Sequence, residues 1–168
     1  MPSSAKLSTK TLVTLALLLA LAVALRLAEN YLLPPLPGGV RLGLANSITI
    51  LALLLFGARS AGLLLTARII LVGLLSTGLF TPGFLIGLSG AVLSFLLMAA
   101  PAARRWFSPL GLGILGACSH NVGQICAAMY LLQAPLLFSY LPLLLLLAIP
   151  LGYLTGYLAQ LLLPRLKK

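Results

Sequence analysis

SYLPLLLLLAIPLGYLTGYLAQLLL, residues 139–163, runs from Ser139 to Leu163 without one charged side chain. A helix needs about 20 mainly apolar residues to cross the hydrocarbon of a bilayer, and this stretch supplies them. Working outward from it, further apolar runs lie near residues 11–28, 43–57, 60–79, 84–100 and 110–132. The breaks carry turn chemistry: Pro34-Pro35-Leu36-Pro37-Gly38-Gly39, Gly57-Ala58-Arg59-Ser60, Thr81-Pro82-Gly83, Pro101 to Pro109, and Gln133-Ala134-Pro135. The sequence therefore predicts an all-α membrane protein, a single integral membrane domain over residues 1–168 built as a bundle of about six transmembrane helices. The second run is short for a span, which suits a tilted or partly re-entrant segment.

Composition agrees. The chain is 61% hydrophobic and 7% charged, with net charge +10, where a soluble domain carries roughly 25% charged residues. Lipid has to be the solvent. The basic residues cluster at the ends of apolar runs and form no aromatic-interleaved face, so they do not point to nucleic acid. With a cytoplasmic N-terminus, Lys6, Lys10, Arg59, Arg104, Arg105, Arg165, Lys167 and Lys168 all fall inside, leaving Arg41 and Arg26 outside. That bias predicts a multi-pass protein of the cytoplasmic membrane with both termini cytoplasmic.

Glu29 is the only carboxylate side chain, and there is no Asp. Two-carboxylate hydrolysis, Asp-rich binding of magnesium diphosphates and a Ser-His-Asp triad all need acids this chain lacks. It is read as a non-enzyme without a cofactor. A metal site is also disfavoured: there is one His, and Cys118 and Cys126 stand eight residues apart. That spacing is about 12 Å along one helix.

The polar residues inside apolar runs are the candidate site. Arg68 sits mid-span in Leu65-Thr66-Ala67-Arg68-Ile69-Ile70, where an ionised side chain costs at least about 2.5 kcal/mol. It has to find a partner: Glu29, a carbonyl, water or an anionic ligand. A purely structural reading has it stitching helices together. In Ser119-His120-Asn121-Val122-Gly123-Gln124, the three- and four-residue spacings put His120, Asn121 and Gln124 on one helix face. They form either a binding site or interhelical hydrogen bonds. Arg41 and Asn46, in the glycine-rich stretch Pro37-Gly38-Gly39-Val40-Arg41-Leu42-Gly43-Leu44-Ala45-Asn46, bring donors to the outer mouth. Ala16, Ala20, Ala24 and Ala28 line one face of the first helix, and Gly152 and Gly156 form a second small-residue pair; such stripes allow close helix packing.

Several strings together resemble one membrane family. They are Pro37 to Asn46, Arg68 with Gly73 and Gly78, Leu88-Ser89-Gly90, Phe107-Ser108-Pro109-Leu110-Gly111, Ser119 to Gln124 and Tyr140-Leu141-Pro142. The likeness, over roughly residues 37–160, is to the family called both heptaprenyl diphosphate synthase component I and Gx transporter. Arg41 stands where that pattern has Lys, and Pro150 where it has a small residue.

The two names imply different work. The transporter name implies a relation to the substrate-binding S components of energy-coupling-factor vitamin transporters, six-helix proteins that dock through an Ala-xxx-Ala face. Ala16, Ala20 and Ala24 would then meet an energising membrane subunit with ATPases. The ligand would be a small, anionic vitamin- or flavin-like compound, with Glu29, Asn30, Arg41, Asn46, Arg68, His120, Asn121 and Gln124 as binding residues. The synthase name implies a non-catalytic partner of a soluble prenyl synthase subunit in making the menaquinone side chain. The sequence reading places the binding or transport role first and the synthase role as the alternative.

Overall fold

The computed structural model describes residues 9–32 and 43–166. They form five α-helices: α1 Thr9–Leu32, α2 Leu44–Val72, α3 Pro82–Ala103, α4 Pro109–Leu131 and α5 Leu141–Leu166. A π-helical turn, Gly73–Thr77, extends α2, and a 3-10 turn, Pro135–Tyr140, leads into α5. Thr81 and Ser108 cap α3 and α4, each side-chain oxygen accepting a backbone N–H while a Pro occupies the first helical turn. α5 runs unbroken through Pro150, which lies on the exposed side.

The main departure from expectation is in α2. The second and third predicted spans fall on this one element, which breaks at Gly57 (φ 78°, ψ 177°). A straight helix would hold Ala45 and Arg68 about 34 Å apart. Instead the Arg68 guanidinium donates to the Ala45 carbonyl at 2.6 Å, so the two arms of α2 fold back on one another at Gly57. The expected four-residue turn is compressed to a single glycine, in a backbone region open essentially to glycine alone.

The first arm, residues 44–56, rises only about 20 Å, less than the hydrocarbon thickness. Its residues Ser47, Ile48, Thr49, Ile50, Leu51, Ala52 and Leu53 are all buried. A helix buried on every side is surrounded by protein, and Leu18 and Ala22 of α1, Leu64, Met98, Leu112 and Ala159 close around it.

Among the described residues, four helical segments are long and apolar enough to cross a bilayer: Thr9–Leu32, Leu44–Ser76, Pro82–Ala103 and Pro135–Leu166. α4 falls outside this set because of its polar Ser119–Gln124 stretch. It packs chiefly between α3 and α5, and a helix sheltered by neighbours need not be apolar throughout.

Glycines set those contacts. A Cβ on Gly123 would lie 2.9 Å from the Gly90 Cα of α3, and one on Gly152 would lie 2.6 Å from the Ile114 Cα of α4. The small-residue pair of α5 thus meets the glycines of α4.

Gly57 provides a clean test. A Cβ there would meet nothing within 4 Å, so any cost of Gly57→Ala comes from the backbone. The expected loss is about 1–3 kcal/mol. Gly83→Ala, equally open but inside a helix, should be stabilising by about 0.5–1 kcal/mol. Thermal melts in detergent read both.

Candidate functional site

A cavity of about 150 Å³ opens between all five helices, far more than the roughly 10–15 Å³ one water requires. α1 contributes Arg26 and Asn30. The start of α2 brings Asn46 and Thr49, and its returning arm brings Arg68 and Ile69. α3 adds Phe84, Leu88 and Phe95, α4 adds His120 and Asn121, and α5 adds Leu151 and Thr155. The walls are mainly apolar and the polar groups few and convergent, the usual form of a small-molecule site.

The fold-back at Gly57 is what positions Arg68. Nη1 donates to the Ala45 carbonyl at 2.6 Å and to Thr49 Oγ1 at 3.0 Å. No described residue hydrogen-bonds Nε or Nη2, which leaves those donors for the cavity.

Glu29 is buried one step behind the wall. Its Oε1 accepts the Leu44 N–H at 2.5 Å and its Oε2 accepts Arg26 Nη1 at 3.3 Å. A carboxylate at the first turn of α2 meets the positive end of the helix dipole, so Glu29 anchors α2 and holds Arg26 at the cavity edge. Glu29→Gln should therefore loosen the start of α2 and cost about 2 kcal/mol. A lowered melting temperature and faster amide exchange near Leu44 would register it.

Of the expected site residues, Asn30, Asn46, Arg68, His120 and Asn121 line this one cavity. Asn30 also donates to Ser76 Oγ at 2.9 Å, tying α1 to the π-helical turn. Asn121 donates to the Leu144 carbonyl at 2.9 Å and so fastens α4 to α5. Glu29 and Gln124 lie outside the lining; Gln124 presses its Cγ toward Gly90 of α3. Arg41 lies outside the described residues, as does most of the glycine-rich loop before Gly43. Ala16, Ala20, Ala24 and Ala28 are exposed on α1, whose buried residues are Leu18, Ala22, Val23 and Glu29.

Sequence reasoning passed over Arg26, counting it only as an outer charge. Its three-residue spacing from Glu29 was the available clue. Phe84 and Phe95 gave none, being apolar residues in an apolar helix.

A family model described as heptaprenyl diphosphate synthase component I matches residues 18–162. The chain belongs to that family. No curated protein and no solved structure matches it. Membership of the heptaprenyl diphosphate synthase component I family bears out the resemblance carried by the Arg-Leu-Gly-Leu-Ala-Asn and His-Asn-Val-Gly-Gln strings. Those strings contribute Ala45, Asn46, His120 and Asn121 to the cavity wall.

Proposed function

We propose that this chain is the non-catalytic membrane component of a heptaprenyl diphosphate synthase. It would act with a soluble prenyl-transferring subunit in making the menaquinone side chain, and bind a small anion in its cavity. The observation that carries this reading is the state of Glu29. The chain's one carboxylate side chain has both oxygens engaged, by Leu44 and Arg26. One carboxylate, salt-bridged and outside the cavity lining, is not the cluster of acids that holds Mg²⁺ against a diphosphate, so prenyl transfer is assigned to a partner. Arg68, within the same bundle, has guanidinium donors to spare for an anion.

Helix directions support a topology. Lys10 lies in the first turn of α1, Arg59 just after the turn of α2, Arg104 and Arg105 between α3 and α4, and Arg165 in the last turn of α5, so helices that alternate in direction would gather them at one end of the bundle. The positive-inside rule makes that end cytoplasmic. The chain would then pass between the two faces six times, the short first arm of α2 doing so inside the bundle and not against lipid, with both termini cytoplasmic and the Arg26, Asn30 and Phe84 side of the cavity toward the outer face.

A second reading, an uptake component for a small anion, is favoured by the exposed Ala16, Ala20 and Ala24 face. Small residues on a lipid-facing helix permit close docking of another membrane helix.

Affinity purification from the host membrane in mild detergent separates the two. Co-elution of a soluble Asp-rich prenyl synthase subunit is expected. Co-elution of an energising membrane subunit with ATPases instead, together with normal heptaprenyl quinone levels in a deletion strain, would overturn the synthase assignment.

A further inference from the structure

We propose that the cavity is built for a monoanion with a compact apolar body, a carboxylate or a phosphodiester, bound without a divalent cation. This rests on the anion-binding part of the reading above and narrows it.

Arg26 and Arg68 line the cavity, and Glu29 pairs with Arg26 at 3.3 Å. Among the described side chains that line the cavity, Arg26 is paired with Glu29 and Arg68 has no carboxylate partner, which leaves one uncompensated arginine charge. Charge inside a bundle is costly unless paired. One negative charge closes the balance, whereas a diphosphate would overshoot it. Prenyl diphosphates are ordinarily neutralised by Mg²⁺ on carboxylates, and Glu29, the one carboxylate side chain, lies outside the cavity lining and bonds Leu44 and Arg26.

Arg68 offers Nε and Nη2, and Asn46, which lines the same cavity, has a side-chain amide with no hydrogen bond among the described residues. Asn46 follows Ala45 and lies one turn before Thr49, the two residues that position Arg68. Guanidinium and amide donors thus belong to one cavity wall and are available to one anionic group. The rest of the wall, including Phe84, Phe95, Leu88 and Leu151, is apolar and partly aromatic, suited to a ring or short hydrocarbon body.

The test uses the full-length protein in nanodiscs of zwitterionic lipid, with calorimetric titration in EDTA. The probes are 2-naphthoate, its neutral isostere 2-naphthamide, dibutyl phosphate, and geranyl diphosphate with and without Mg²⁺. Binding of 2-naphthoate or dibutyl phosphate at least 10-fold tighter than 2-naphthamide is expected, and the stronger of the two identifies the anionic group. Asn46→Asp would give Arg68 an internal carboxylate. It should weaken the anion at least 10-fold while leaving the melting temperature unchanged or raised, which separates lost binding from lost folding.

Equal binding of 2-naphthamide would overturn the proposal, as would geranyl diphosphate binding tightest and only with Mg²⁺. The latter would still leave an anion-binding cavity. If no anion binds the folded protein, the anion-binding reading falls too, while partner co-elution tests the synthase assignment separately.

Discussion

Gly113→Ala should lower the stability of the folded bundle by about 2–3 kcal/mol, and Gly113→Leu should prevent it from accumulating at all. A Cβ at Gly113 would run into the carbonyl oxygen of Gly152 and lie 2.7 Å from the Gly156 nitrogen and 2.8 Å from its Cα. These obstacles are backbone, so no rotamer change relieves the clash. α4 and α5 would have to separate along their length. Overpacking of this kind usually costs about 1–3 kcal/mol and occasionally more, against a total stability of only about 5–15 kcal/mol.

The damage would also reach the cavity. Asn121 is held by the Leu144 carbonyl across the same α4–α5 seam, so parting the helices unseats one wall of the site. Gel filtration and a thermal melt in detergent read the effect. A native-like melt for Gly113→Leu would show that the seam is not the contact described here.

Arg68→Leu should abolish anion binding, by roughly 100-fold or more, without preventing membrane insertion. Two or more charge-assisted hydrogen bonds to the ligand, at about 1.5–3 kcal/mol each, correspond to at least that factor. Insertion should survive because removing a mid-span guanidinium makes the helix more apolar, not less. Some stability will be lost with the Ala45 and Thr49 bonds that pin the two arms of α2 together. Titration of wild type and variant with 2-naphthoate or dibutyl phosphate measures the effect, with signal-sequence-independent membrane fractionation as the insertion control. Unchanged affinity would remove Arg68 from the site.

These residues mark how far the sequence could be read. Apolar runs revealed a helical membrane domain because their length exceeds anything a soluble fold tolerates. Arg68, His120 and Asn121 stood out because polar side chains are costly in such runs, and the structure places all three on one cavity. Phe84 and Phe95, apolar residues in an apolar helix, carry no such cost and so did not stand out.

Pairings distant in sequence were less visible. Nothing local showed that Gly113 would meet Gly152, since register between helices is a property of the packed bundle. The turn at Gly57 was legible as a break, but its single-residue tightness depends on a backbone conformation that composition does not reveal. Gln124 shows the limit of periodicity: four residues from His120 is the same face, yet the cavity lining includes Asn121 and not Gln124. Glu29 was expected to orient an Arg, and it does pair with one. That partner is Arg26, one turn away, not Arg68.

Native mass spectrometry of the tagged protein, extracted in mild detergent from its own host, tests the central claim most directly. The account predicts a complex with a soluble prenyl synthase subunit, carrying a small monoanion that disappears in Arg68→Leu. A lone chain, or one bound only to an energising membrane subunit with a ligand retained equally by Arg68→Leu, would contradict it.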